Sequence, residues 1–144
     1  MSGLVLKLAP GERFLVNGAL LENGDKPSSI RISDNDARVL RCRDALKPDE
    51  VDTPAKKLYY AIQLLITGDL YEKNVLSAIL AECDRMADVF RTIDDSLMVV
   101  LRSMLERGND YSALCHLRNV IAIEAELLKL AQNTERMRPY MQVA

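Results

Sequence analysis

The hydrophobic period of this chain changes near Pro48. Before it, apolar and polar residues alternate, as where Ile30 and Ile32 flank an arginine. Alternation with a period of two is typical of strands with one buried face. After it, apolar residues recur every three or four positions, as at Leu58 and Ile62. That spacing is typical of amphipathic helices, so one kind of element cannot account for the whole chain.

The change of period predicts an α+β fold. We expect a small N-terminal antiparallel β-unit, residues 1–47, followed by a bundle of about four helices, residues 48–144. In the β-unit, Asn17-Gly18 lies between two apolar runs and predicts a hairpin, because both turn residues must accept a positive φ. Ser29–Ser33 and the weaker candidate Arg38–Arg41 are further strands.

Helix boundaries are indicated by caps and glycines. Thr53 before Pro54 is typical of a helix start, and Gly68 and Gly108 predict two helix ends. Asp69, with a glutamate three residues later, predicts a capping box at the start of the second helix. The polar segment after Gln132 contains a proline, which predicts a frayed tail.

Composition limits the compartment and the partners. Hydrophobic residues make up 49% of the 144 positions, enough for a core, and the net charge is −2, so a nucleic-acid site has to be a local basic patch. The three cysteines are scattered, and no apolar run approaches the ~20 residues that a membrane helix needs. We expect a soluble, cytoplasmic protein that does not bind membranes.

Residues suited to catalysis are few. The one histidine, His116, adjoins Cys115 on a predicted helix, where neighbouring side chains point about 100° apart. They are therefore not placed to act as a nucleophile and its general base. The simpler interpretation is that both residues pack within the helical bundle. The sequence contains no glycine-rich phosphate-binding loop, and one histidine with scattered cysteines offers no metal-ligand spacing. We predict no enzyme activity, no metal and no cofactor.

Positive charge in the β-unit is the most suggestive functional feature. If the last strand continues, Arg41 and Arg43 share one face, and Arg13 and Arg31 are available on neighbouring strands. Arginine suits RNA because its planar fork pairs with phosphate and stacks on bases. Lys56 and Lys57, at the start of the first helix, extend this candidate RNA-binding set. A solvated outer face of a half-buried sheet explains the same charges, and the aromatic platform of RNA-binding sheets is missing.

An ordered series of motifs suggests a family. Lys7–Ala19, Asn23-Gly24-Asp25, Val39-Leu40-Arg41 and Thr53–Tyr60 resemble successive blocks of the FlbT family. The β-unit also bears a faint likeness to the carbon-storage regulators, which are small all-β RNA-binding dimers. That likeness makes the β-unit the preferred RNA face.

The resemblance implies post-transcriptional regulation of flagellin in flagellum biogenesis. FlbT proteins associate with the 5′ untranslated region of flagellin messenger RNA and promote its degradation, alongside a second protein, FlaF, and in some species they act as activators. The partner implied here is therefore the flagellin mRNA leader. The alternative is an adaptor whose helical half docks flagellin, FlaF or another assembly protein. Open strand edges also favour a homo-oligomer.

Overall fold

The computed structural model describes residues 3–34, 36–68 and 72–141. In these ranges five strands come first: β1 (Leu4–Leu8), β2 (Arg13–Val16), β3 (Ala19–Glu22), β4 (Ser28–Ile32) and β5 (Val39–Arg41). Two turns of 3-10 helix, Cys42–Asp44 and Pro48–Glu50, lead to the helices α1 (Pro54–Thr67), α2 (Glu72–Phe90), α3 (Leu97–Glu106) and α4 (Asp110–Met141). The predicted α+β fold, a small antiparallel β-unit before four helices, is confirmed.

The Asn17-Gly18 turn sets the register of the β2–β3 hairpin. Asn17 has φ +52° and Gly18 has φ +83°, and Val16 lies opposite Ala19 across the turn. A two-residue hairpin turn with both φ values positive matches the right-handed twist of the strands it joins. The predicted hairpin is confirmed, and so are the strands around Arg31 and Leu40.

The β-unit is built as two layers. One is the β1–β4 ribbon, and the other is a three-stranded sheet in the order β3-β2-β5. Along β5, Val39 packs with Phe14 and with Leu6 of the ribbon, whereas its neighbour Leu40 belongs to the core of the helices. Successive strand residues point to opposite faces, so the sheet lies between the ribbon and the helical bundle.

Helix α1 has both predicted ends. The Thr53 hydroxyl accepts the backbone N–H of Lys56 at 3.3 Å, and Gly68 ends the helix with φ +83°. A second acceptor comes from α4, where the Glu124 carboxylate accepts the N–H of Ala55 at 2.9 Å. The N-terminus of α1 is therefore capped both by its own chain segment and by another helix.

Helix α4 is longer than expected. The helix continues through Pro139 to Met141, so the prediction of a frayed tail after Gln132 is wrong. Strong helix formers surround the proline, and Arg138 pairs with Glu135 at 2.8 Å. The missing proline N–H removes one helical hydrogen bond only two residues before the last helical residue. Helices α3 and α4 meet around Gly108, as predicted, and the capping-box residue Asp69 lies outside the described residues.

Candidate nucleic-acid interface

A buried ion pair between Arg41 and Glu12 fastens the two layers of the β-unit. Arg41 Nε and Nη2 donate to the two carboxylate oxygens at 2.6 and 2.7 Å, and Nη2 also donates to the Lys7 carbonyl of β1 at 2.6 Å. The side chains are 8% and 6% exposed. Hydrogen bonding from Arg41 lowers the pKa of Glu12 to about 2, and pairing with Glu12 raises the pKa of Arg41. The pair joins β1, β5 and the turn before β2.

Asp44 links this pair to the helices. Its carboxylate accepts from Arg118 Nη1 of α4 at 2.9 Å, and its carbonyl accepts from the Tyr59 hydroxyl of α1 at 2.7 Å. Arg43 Nε lies 3.8 Å from the Glu12 carboxylate and 3.9 Å from the Asp44 carboxylate. Burial raises the pKa of Tyr59 to about 12, so it stays a neutral donor. We call the connected set the polar cluster: Glu12, Arg41, Arg43, Asp44, Tyr59 and Arg118.

Two arginines of the polar cluster reach solvent. The side chains of Arg43 and Arg118 are 58% and 46% exposed, and both approach the same Asp44 oxygen. A guanidinium has five N–H donors, so an ion pair leaves donors that can take a phosphate. The cluster holds three arginines against the carboxylates of Glu12 and Asp44, which leaves an excess of positive charge at its surface. Positive charge at a surface attracts anionic ligands.

Arg41 and Arg43 would share a face only if the strand continued past Arg41, and the structure does not meet this condition. Strand β5 ends at Arg41, and the chain turns into a 3-10 helix at Cys42–Asp44. Arg41 lies opposite Phe14 in the β2–β5 register, so its side chain points between the two β layers. The structure gives Arg41 internal partners and leaves Arg43 at the surface.

The other strand arginines lie outside the polar cluster. Arg13 is exposed, and its Nε donates to Glu22 across the hairpin at 2.9 Å. Arg31 is exposed on the outer face of the ribbon, opposite Val5, and Lys7 lies on the same outer face. Arg31 and Lys7 therefore share the outer face of the ribbon, whereas Arg13 lies on the other sheet.

The two predicted lysines belong to the first turn of α1. Lys56 Nζ contacts Asp52 at 3.1 Å. Lys57 lines a groove of about 460 Å³ between α1 and α2, whose walls are mainly apolar. The six predicted cations are thus divided between a buried pair, the cluster surface, the outer strands and the start of α1.

Comparison with known proteins places the chain in a family. The model of the family described as "Flagellar protein FlbT" matches residues 4–128. The chain belongs to the FlbT family. A relative from Caulobacter vibrioides, named flagellum biosynthesis repressor protein FlbT, is 29% identical over 127 residues, 87% of this chain and 89% of the relative. A probable flagellum biosynthesis repressor protein FlbT from Rhodopseudomonas palustris is 30% identical over 128 residues, 87% and 97% of the two chains. No solved structure matches the chain.

The segments that resemble the FlbT family supply part of the polar cluster. The first segment, Lys7–Ala19, supplies Glu12, and the segment that begins at Thr53 supplies Tyr59. Asp44 lies between them and contacts both α1 and α4. The resemblance therefore falls on residues that join the strands to the helices.

Arg118 and the ionic role of Glu12 were missed from the sequence. Arg118 stands alone on α4 and is 74 positions from Asp44, so spacing gives no signal for their pairing. Glu12 belongs to the segment predicted as a Pro-Gly turn, and its burial follows only from the packing of β1 against β2. Glu12 is the only acidic residue in the segment Lys7–Ala19, and this is the one sequence signal that points to its ionic role.

His116 has a packing role in this FlbT chain. Its Nε2 donates to the Leu97 carbonyl of α3 at 2.7 Å, which ties α4 to the start of α3. The neighbouring Cys115 contacts Arg118 instead, at 3.4 Å. Among the described residues, no group of three or more histidines, cysteines or carboxylates is placed to hold a metal, and no helix is long and apolar enough to cross a membrane.

Proposed function

We propose that this FlbT-family protein regulates flagellin expression after transcription. It binds the 5′ untranslated region of flagellin messenger RNA in the cytoplasm and promotes degradation of that RNA during flagellum biogenesis. The observation that carries the proposal is the family match over residues 4–128, together with relatives named as repressors of flagellum biosynthesis. The exposed arginines of the polar cluster supply a surface with the required charge.

The proposed RNA contact is centred on Arg43 and Arg118. Both side chains are about half exposed, and Asp44 holds them side by side. Two guanidinium groups held in fixed positions can contact phosphates with little further loss of side-chain entropy. The proposed contact extends along the strands and the first helix through further basic residues: Arg13, Arg31, Lys56 and Lys57. Arg41 is omitted because its guanidinium is committed to Glu12.

Binding to a labelled flagellin leader RNA tests the proposal. A scrambled RNA of equal length serves as the reference, and the affinity is measured across a salt series. We expect leader-selective binding that weakens with salt. In the Arg43→Gln/Arg118→Gln variant the affinity should fall by roughly tenfold or more, and the salt slope should drop by about two, one for each phosphate contact.

A matched control is Arg85→Gln/Arg91→Gln, with one arginine on α2 and the other directly after it. Both arginines are exposed and make local ion pairs, so the charge change is the same at a different surface. Unchanged affinity in the Arg43→Gln/Arg118→Gln variant would refute the proposed location. Equal, weak binding of the wild type to both RNAs would refute direct RNA recognition.

The groove between α1 and α2 favours an adaptor as the second candidate function. Its walls include Leu58, Ala61, Val75 and Ile79, and its volume of about 460 Å³ suits apolar side chains of a docked helix. The proposed occupants are flagellin, FlaF or another assembly protein. Ala78→Arg, within the groove, should abolish capture of purified flagellin or FlaF after nuclease treatment. Ala81→Arg, exposed on the same helix, should not. Equal capture by both variants argues against this site.

A further inference from the structure

The C-terminal part of α4 extends beyond the helical bundle. The last α4 residue packed against the core is Leu127, and every described side chain from Leu128 to Tyr140 is exposed. We call residues 128–141 the overhang. At 1.5 Å per residue it is about 20 Å long. An isolated helix of this length is marginal in water, so a partner helix would stabilise it.

An apolar seam runs from the bundle onto the overhang. Ile123, Leu127, Leu130, Thr134 and Met137 are spaced alternately by four and three residues, the spacing of a coiled-coil seam. Ile123 and Leu127 pack against the core, whereas Leu130 and Met137 are 61% and 53% exposed. The face of α4 that packs against the other helices therefore continues beyond the bundle, where its apolar side chains are exposed to solvent.

An apolar groove lies at the base of the overhang. It has a volume of about 180 Å³, and its walls include Met86, Val89 and Phe90 of α2 and Leu127 and Leu128 of α4. The side chains of Val89 and Leu128 are 64% and 45% exposed. Near the tip of the overhang, Tyr140 is 72% exposed and has the size and amphipathic character to fill such a groove.

We propose that two copies of this chain associate through their overhangs. The two helices lie antiparallel about a two-fold axis near Gln132. This arrangement places Met137 beside the partner's Leu127 and Leu130 beside the partner's Thr134. Tyr140 of each copy then reaches the groove at the base of the other. The proposal does not depend on the RNA-binding function.

The chemistry of the overhang favours a second copy as the occupant. The exposed apolar side chains and the groove that accepts them lie on the same segment of the chain. A two-fold axis therefore forms the same contact twice, once with the groove of each copy. Charge is also complementary. Near the base the helix carries the exposed Glu126 and Lys129, and near the tip it carries Glu135, Arg136 and Arg138. Antiparallel pairing sets the net-basic tip of each copy beside Glu126 of the other.

Sedimentation of the full chain across the micromolar range tests the proposal. We expect a wild-type dimer, and a monomer for Leu130→Glu/Met137→Glu. Ala125→Glu/Gln132→Glu is the matched control, because it adds the same charge at the same seven-residue spacing on the opposite side of the helix. It should remain dimeric. All four substituted side chains are exposed in the single chain, so circular dichroism should show that both variants are folded.

A wild-type monomer, or a dimer that survives Leu130→Glu/Met137→Glu, would overturn the proposal. The second result would direct attention to the edge strand β3, where Leu20 and Leu21 are 60% and 42% exposed.

Cross-linking tests the antiparallel geometry independently. In a Cys42→Ser background, needed because Cys42 is exposed, Asn133→Cys lies near the two-fold axis and should cross-link to its own copy in the partner. Glu126→Cys should not, since antiparallel pairing separates the two copies by about 18 Å along the axis. Efficient self-cross-linking at both positions would indicate parallel helices, and none at Asn133→Cys would contradict the axis. Either result overturns the model.

Discussion

Arg41 keeps a full positive charge almost entirely out of water. Its side chain is 8% exposed, and three hydrogen bonds to Glu12 and to the Lys7 carbonyl replace its hydration. A buried ion pair is costly to break from one side, because the remaining charge is left without a partner. The stability of the β-unit is therefore sensitive to this residue even though the pair itself adds little compared with an apolar core.

The first prediction concerns the removal of Arg41. Arg41→Ala should lower the free energy of unfolding by about 3 kcal/mol, because Glu12 stays buried without its partner. Arg13→Ala, which removes an exposed arginine paired with Glu22, should cost less than about 1 kcal/mol. Urea unfolding followed by circular dichroism measures both. Similar losses in the two variants would mean that the buried pair does not organise the β-unit.

The pH dependence of stability follows from the lowered pKa of Glu12. Its pKa falls from 4.5 to about 2 in the folded protein, chiefly because Arg41 donates to the carboxylate. A lowered folded pKa stabilises the protein above the unfolded value, and that stabilisation is lost as the pH falls from 4.5 towards 2. Glu12→Gln should be less stable at neutral pH but should lose less on acidification over that window. If the difference in the free energy of unfolding between wild type and Glu12→Gln does not change with pH, Glu12 does not have a lowered pKa in the folded protein.

The sequence identified the arginines but not their positions relative to solvent. Arg41 and Arg43 would have shared a face only if the strand continued past Arg41, and β5 ends there. Whether β5 ends at Arg41 depends on how Cys42–Asp44 packs against β2 and α1, which no local pattern records. Arg118 could not be placed at all, because its partner Asp44 is distant in the chain.

Helix α4 differs most from its sequence-based prediction, and Pro139 is the reason. Pro139→Ala restores an N–H that can donate to the Glu135 carbonyl, so it should increase helix content and amide protection near the tip. The local gain should be at most about 1 kcal/mol, because a proline near a helix end costs less than one in the interior. Hydrogen exchange of residues 133–140 measures it. Gln132→Ala, which leaves the backbone donors unchanged, is the control, and equal exchange in both variants would show that the tip is not helical in solution.

Elements with local signals were predicted well. The β2–β3 hairpin follows from Asn17-Gly18 alone, since both φ values are set by neighbouring atoms. Thr53 and Gly68 mark α1 for the same reason. Tertiary contacts at element ends could not be predicted, and the Glu124 carboxylate that accepts the Ala55 N–H at the start of α1 is an example.

At the scale of the whole molecule, the strands and helices are interlocked across the predicted boundary between residues 47 and 48. Leu40 of β5 belongs to the helical core. The Gln63 side chain accepts the Leu46 N–H at 2.8 Å and donates to the Leu46 carbonyl at 3.0 Å. Arg38 Nη1 donates to the Leu65 carbonyl at 3.1 Å. The division into residues 1–47 and 48–144 stays a prediction, and these contacts indicate how to test it.

We expect the full chain to unfold in one transition. Calorimetric and van 't Hoff enthalpies should agree, because unfolding the strands would expose the core around Leu40 and remove the partners of Gln63. Gln63→Ala should lower the melting temperature of strands and helices together. Lys129→Ala, on the solvent-exposed overhang, should leave it nearly unchanged. Two resolved transitions would instead support independent units on either side of residue 47.

The contact between Glu124 and Ala55 has a consequence for synthesis on the ribosome. Ala55 emerges from the exit tunnel long before the residue that caps its N–H, which lies 69 positions later. The same holds for Asp44, whose partner Arg118 follows 74 positions later. During synthesis, Ala55 and Asp44 therefore lack their hydrogen-bond partners Glu124 and Arg118 until α4 has been translated. A stalled nascent chain that ends before Arg118 should be open to proteases at the start of α1, whereas one that exposes Glu124 outside the tunnel should become resistant there.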